Sequence, residues 1–309
     1  MERFNKKYFI LVNICLIVIN FIHFSCSIFE KEMKNKYLNT KEEVQKLLSS
    51  SSGTYSVAFK DLQNGEVILI NEQIYFHAAS TMKTPVMIEV FKQAQFGKFN
   101  LSDSVEVKND FKSIVDGSSF SIDKNDDSEK DLYNLIGRKT TFYDLITRMI
   151  TISSNLATNI LIEIVGPDNV TESMRRLGAN MIKVLRGVED SKAYNKGLNN
   201  ITTAFDLMII YDKIAKGEIL SEENHKKMID ILLNQKFNDI IPAKLPKGIK
   251  VAHKTGSITN VEHDSGIVFL PDGRKYVLVL LSKDLPNNNY GKEVLSKVSN
   301  IIYENLYKN

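Results

Sequence analysis

Residues alternate with a two-residue period near both ends of this chain, and a long stretch of helical periodicity lies between them. Thr54 to Leu62 alternates in hydropathy, Asn64-Gly65 supplies a tight turn, and Glu66 to Asn71 alternates again, which is a hairpin signature. Ile249 to His253, Ser265 to Leu270 and Tyr276 to Ser282 are rich in β-formers, with Pro271-Asp272-Gly273 turning the last two. Between these ends the period lengthens. Met82, Val86, Val90, Phe91 and Ala94 recur at helical spacing until Gly97. Phe142 to Ile150, Leu156 to Val165, Ala204 to Ala215 and Glu222 to Leu233 read as further helices, with Gly166-Pro167 closing the second. A short amphipathic helix is expected over Lys41 to Leu48 and a final helix over Lys292 to Tyr303.

Strands, then many helices, then strands and a helix predict an α+β fold. The expected form is an antiparallel β-sheet flanked by helices, with an inserted all-helical domain. The sheet part takes residues 41–80 and 245–309, and the helical part residues 81–244. Ser113 to Lys130 is polar and reads as a surface insertion, while Leu185 to Thr203 holds no period. Loops of that length without their own structure are functional or disordered.

The first thirty residues differ from the rest. Arg3, Lys6 and Lys7 precede an apolar run, Phe9 to Phe24, broken only by Asn13, Asn20 and His23. A basic start before such a run reads as an export signal over residues 1–26, followed by a linker at 27–40. An uncleaved anchor is the alternative, although a comfortable span needs about 20 residues. Either way the body lies outside the cytoplasm, in the periplasm or at the cell surface. Both cysteines, Cys15 and Cys26, fall in this segment, so the exported body carries neither a disulfide framework nor a thiolate metal site. Cys26 is a candidate for lipidation and a membrane tether, although His23 and Phe24 suit such a site poorly. The 40 basic and 37 acidic residues nearly cancel, so nucleic acid is not an expected partner. The five histidines show no H-E-x-x-H or other compact ligand set, so no metal or other cofactor is expected.

Three short elements carry chemistry. Ser80-Thr81-Met82-Lys83 sets a hydroxyl and an amine three residues apart at a helix start, on one face of that helix. The amine and the positive helix end both help a weak serine nucleophile. Alone the pattern is poor, because a chain this long supplies about one or two by chance. Ser121-Ile122-Asp123-Lys124 is such a decoy, and on this element alone an N-cap beside a solvated lysine is the better explanation of Ser80. Ser153-Ser154-Asn155, at the junction of two helices, would otherwise be ordinary capping. Lys254-Thr255-Gly256-Ser257 lies at a strand end, where a lysine, hydroxyls and backbone N–H groups suit an acyl substrate.

As an ordered trio these elements resemble the motif set of class A β-lactamases and penicillin-binding proteins. The resemblance runs from about Lys41 to the C-terminus and identifies a penicillin-recognising serine hydrolase family. It implies that Ser80 is acylated, that Lys83 helps remove its proton, and that Ser153 relays a proton to the leaving nitrogen. Asn155 would hold the substrate's side-chain amide, and Lys254, Thr255, Gly256 and Ser257 would bind the substrate, including its carboxylate. The N–H groups of Ser80 and Ser257 would form an oxyanion hole, at roughly 3 to 4 kcal/mol per donor.

The chain departs from the family pattern at three points. Ser154 replaces a common aspartate. The loop Arg186-Gly187-Val188-Glu189-Asp190 offers Glu189, then Asp190, as the water-activating base, without the usual asparagine soon after. An arginine common near Ser265 is missing, which leaves His263 to share its anchoring role. This loop and His263-Asp264 before Ser265-Gly266 look like a divergent branch of the family. The implied function is that of an exported β-lactamase, expected as a monomer. Its alternatives are a D-alanyl-D-alanine peptidase or other exported acyl hydrolase, and a receptor for a lactam or muropeptide with little turnover.

Overall fold

The computed structural model describes residues 34–308. The expected export signal, with Cys26, lies outside them. Among the described residues no helix is long and apolar enough to cross a membrane. A first helix, α1, runs through residues 34–49. It takes in residues 34–40, which composition assigns to a linker. The helix continues there because Tyr37, Val44 and Leu48 share a buried face, with Tyr37 donating to Asp61 Oδ2 at 2.9 Å.

Strands β1 (Thr54–Asp61) and β2 (Val67–Ile70) form the expected hairpin. β3 (Phe76–His77) and a 3-10 turn, Ala79–Met82, lead into α2 (Lys83–Gln95). Short strands β4 (Ser104–Glu106), β5 (Phe111–Lys112), β6 (Ser119–Phe120) and β7 (Lys139–Thr141) follow. Then come α3 (Phe142–Thr151), α4 (Asn155–Val165), α5 (Pro167–Arg176), α6 (Ser191–Asn195), β8 (Ile201–Thr202), α7 (Ala204–Lys216) and α8 (Glu222–Leu233). The chain ends with β9 (Lys250–Ile258), β10 (Val261–Phe269), β11 (Lys275–Lys283) and α9 (Asn288–Leu306).

The main sheet has five strands in the order β2-β1-β11-β10-β9, antiparallel throughout. Its two faces follow from the two-residue period along β11. Val277, Val279 and Leu281 join the core formed with α2, α3, α4 and α7, whereas Tyr276, Leu278 and Leu280 join the core under α1 and α9. Burial on both faces turns the strand into a nearly continuous apolar run. The helical part between β3 and β9 also carries three two-stranded ribbons, β3-β8, β4-β7 and β5-β6. Strands of two or three residues are too short to show a period, which is why the inserted domain reads as all-helical.

Two further differences shape the site. β9 does not stop at His253 but continues through Ile258, turning at Thr259-Asn260 into β10, so Lys254 to Ser257 lies within an edge strand. Asn260 takes φ +59°, a tolerated conformation for asparagine. Gly166, at φ +81°, ends α4 and caps α5, with Pro167 at the first helical position. The Gly-Pro pair therefore starts a helix as well as stopping one.

Candidate active site

Ser80 sits in the 3-10 turn just before α2, half-buried. The residue before it, Ala79, has φ +44°, and its N–H donates to His77 Nδ1 at 3.0 Å. Ala78 N–H is tied to Asn200 O at 2.8 Å and Thr81 N–H to Ala78 O at 3.0 Å. The described residues other than glycine with positive φ are Asn71, Ala79, Ser153, Glu189, Asn260 and Asp284. Three are the tolerated Asn and Asp types. The other three, Ala79, Ser153 and Glu189, adjoin or line one cleft, where strain of about 1–3 kcal/mol each is held by the surrounding structure.

The structure brings the three motifs together. Lys83, with no exposed surface, places Nζ 2.7 Å from Ser153 O, 3.2 Å from Ser153 Oγ and 2.8 Å from Asn155 Oδ1. Lys254, equally buried, places Nζ 3.0 Å from Ser153 Oγ and 2.9 Å from Thr255 O. The Ser153 hydroxyl therefore stands between two buried amines, and among the described residues neither amine forms an ion pair. Burial lowers the Lys83 pKa to about 7 against the weaker opposing pull of Asp127 and Glu189. Lys254 is pushed well below its ordinary value by burial and then by the Lys83 charge. A neutral Lys83 amine has two N–H groups for the two carbonyl oxygens and a lone pair left for a hydroxyl proton.

Gly256 lies against the nucleophile. A Cβ there would stand 3.1 Å from Ser80 N and 3.2 Å from Ala79 Cβ, so a side chain would press the strand away from Ser80. Ser80, Asn155, Glu189 and Ser257 border both limbs of the cleft, of about 390 and 330 Å³. Ser153 and Thr255 border the second limb alone.

Glu189 projects from the loop between α5 and α7. Its side chain is open at the cleft, where Asn155 Nδ2 donates to Oε1 at 3.3 Å. Partial desolvation raises its pKa, helped by Asp126 and opposed by Lys83 and Arg186. Asp190, the second choice for this base, is otherwise engaged. It caps α6 through Ala193 N–H and accepts from Ser113 Oγ and Ile114 N–H. The loop is tied at its neck by Asn200, which accepts from Leu185 and Arg186 N–H and donates to Arg186 O. Arg186 adds bonds to Leu198 O and Asn199 Oδ1.

Next to Glu189 the loop is clasped by Asn159, whose amide exchanges two bonds with Val188. A Cβ on Gly187 would stand 2.3 Å from Asn159 Oδ1. Gly187→Ala is therefore expected to break the clasp, costing about 1–3 kcal/mol. It should slow release of an acyl group from Ser80 at least fivefold while acylation changes less than twofold. Thermal melting and single-turnover kinetics would check this.

Two expectations are corrected here. His263 is fully buried, with Nε2 2.9 Å from His77 O and Nδ1 2.8 Å from Glu262 O. Burial lowers its pKa to about 4, so it brings no cation to anchor a carboxylate. The polar segment 113–130 is not merely a surface insertion. Asp127 is buried and accepts from Asn155 and Leu156 N–H at 2.9–3.0 Å, placing a carboxylate at the start of α4. Ser154 contributes only the N-cap, through Ala157 N–H. No local pattern distinguishes Asp127 from the aspartates around it. The decoy Lys124 reaches Asn134 on the surface.

Comparisons with known proteins identify the family. A family model described as "Beta-lactamase enzyme family" matches residues 39–306. The β-lactamase CARB-3 of Pseudomonas aeruginosa is 29% identical over 76% of this chain and 81% of its own length. A solved structure titled as PBP-A is 27% identical with a TM-score of 0.75, covering 88% of this chain and 97% of that one. A β-lactamase structure from Sphaerobacter thermophilus is 25% identical with a TM-score of 0.73, covering 85% and 95%.

Proposed function

Because the chain belongs to the beta-lactamase enzyme family, we propose that it is a serine β-lactamase that opens the lactam ring through an acyl-enzyme on Ser80. Lys83, as the neutral amine, takes the Ser80 proton while Oγ attacks the lactam carbonyl. Ser153, between the two lysines, delivers a proton to the leaving ring nitrogen. The N–H groups of Ser80 and Ser257 stabilise the oxyanion. Asn155 orients the acyl side chain, and Lys254 with Thr255 receives the substrate carboxylate. Glu189 activates the water that frees Ser80.

The observation that carries this reading is Asn155, whose side-chain amide touches both Lys83, at 2.8 Å, and Glu189, at 3.3 Å. The acylating amine and the deacylating carboxylate thus share one substrate-facing group. Support for lactam chemistry also comes from a 28%-identical PBP-A variant, titled as an acyl-enzyme complex with penicillin G. On this reading the basic and apolar residues 1–26 export the enzyme, and Cys26 is a site for a lipid tether.

A chromogenic cephalosporin, followed through burst and steady state, tests the proposal. Sustained turnover is expected, with Glu189→Gln slowing deacylation by about 10²-fold or more and acylation far less. Equal effects on both steps would remove Glu189 from the water-activating role. A single-equivalent burst in the unaltered protein would instead indicate a peptidase or a slowly acylated receptor.

A further inference from the structure

Ala79 is the strained residue next to the nucleophile, and its N–H has one acceptor among the described residues, His77 Nδ1 at 3.0 Å. Ala79 is buried, so that donor is shielded from water and needs the bond. A backbone N–H can only donate, so Nδ1 carries no proton and the neutral ring holds its hydrogen on Nε2. Burial, and then the Arg186 charge, lower the His77 pKa below its ordinary value, which keeps the ring neutral at neutral pH. The ring borders the first limb of the cleft and meets the Tyr194 ring edge-on, with centroids 6.1 Å apart. The His77 backbone is fixed independently. It pairs with Ile201 between β3 and β8, and its carbonyl accepts from His263 Nε2 at 2.9 Å. The imidazole is therefore a stationary acceptor presented to the turn that carries Ser80.

This inference rests on the acyl-enzyme reading above. We propose that His77 is a positioning residue: by holding Ala79 N–H, its Nδ1 fixes the turn that aims the Ser80 hydroxyl and N–H into the cleft. The peptide joining Ala79 to Ser80 carries the oxyanion-binding N–H, so its direction follows from the Ala79 dihedrals. At φ +44° an alanine occupies a sparsely populated region. Releasing its N–H lets the residue relax toward negative φ, which turns the Ser80 N–H and shifts Oγ away from Lys83. The ties of Ala78 and Thr81 hold the ends of the turn, but neither bonds the Ala79 N–H. A misplacement of about 1 Å slows a reaction about 10²-fold. The preceding complex is affected less, because the oxyanion forms only in the transition state.

Two substitutions separate the acceptor from the ring. His77→Leu keeps apolar bulk beside Tyr194 but offers no acceptor. His77→Asn gives up the ring but places Oδ1 one bond from Cγ, as Nδ1 is. Stopped-flow acylation by a chromogenic cephalosporin reads the acylation rate constant separately from the dissociation constant that precedes it. His77→Leu is expected to lower the rate constant about 10- to 100-fold and to change the dissociation constant less than about threefold. His77→Asn is expected to recover all but about threefold of the rate. A packing role predicts the reverse order, with leucine the better replacement, and that order would overturn the assignment. Nitrogen-15 spectra of the imidazoles in the unaltered chain keep the test open should His77→Leu fold poorly. They are expected to show His77 as the Nε2–H tautomer, with a coupling from Nδ1 across the hydrogen bond to Ala79, and an Nδ1–H tautomer would overturn the proposal. If the unaltered chain is acylated and His77→Leu matches its rate, the positioning role alone falls. If the unaltered chain is never acylated on Ser80, the acyl-enzyme reading fails and takes this role with it.

Discussion

Ser80→Ala is expected to abolish hydrolysis of a chromogenic cephalosporin, lowering kcat by at least about 10³-fold, with the fold and melting temperature retained. Groups of a nucleophile and its base act as a unit, so removing the nucleophile costs nearly all the chemistry they supply together. The hydroxyl is half-buried, and its loss leaves no void of consequence. The strained Ala79 and the bonds that pin Ala78 and Thr81 involve backbone atoms and the Thr81 hydroxyl, so the turn should persist. Intact-protein mass spectrometry after exposure to penicillin should show one added lactam on the unaltered chain and none on the variant. Hydrolysis persisting in Ser80→Ala at more than a few per cent would displace Ser80 as the nucleophile.

How much of this was legible in the sequence depends on the range of the interaction involved. The β1-β2 hairpin, the helices lining the cleft and the three motifs rest on local periods and on residues a helical turn apart. These survive in one dimension. The contact of Lys83 with Ser153 spans 70 residues, and that of Lys254 with Ser153 spans 101. Only the order of the motifs hinted that they meet. Asp127 was invisible because its partners, the N–H groups of Asn155 and Leu156, lie 28 and 29 residues away. The end of β9 lies beyond the expected one because Lys254, Thr255 and Ser257 resemble a polar turn. In the fold Lys254 is buried under the helical part, and Gly256 packs on Ser80. His263 departs from its expected role for a related reason. The resemblance offers it the anchoring role of a missing arginine, yet here Nε2–H donates to His77 O and Nδ1 accepts from Ser282 N–H, which satisfies a neutral ring inside the protein.

The pH dependence of acylation is expected to report the buried lysines. With Lys83 held near pKa 7 by burial, the neutral amine predominates above that value. The pre-steady-state acylation rate should then rise about tenfold per pH unit below 7 and level off above it. Lys83 and Lys254 both contact the Ser153 hydroxyl, so the apparent value belongs to the pair. Lys83→Met should lower acylation by about 10³-fold and abolish this rise, while Lys83→Arg, permanently charged, should be no better. Stability moves the other way. An amine of pKa 10.5 in the unfolded chain and about 7 in the fold binds more protons unfolded throughout that window. The native state therefore gains stability as pH climbs from about 7 to 10.5, and below 7 it bears the full penalty, at about 1.4 kcal/mol per unit. Lys83→Met removes that penalty and should raise Tm at neutral pH, even as it removes acylation. A variant that lost both activity and Tm would indicate that Lys83 serves as a structural cation held by Ser153 and Asn155, and would end its assignment as the base.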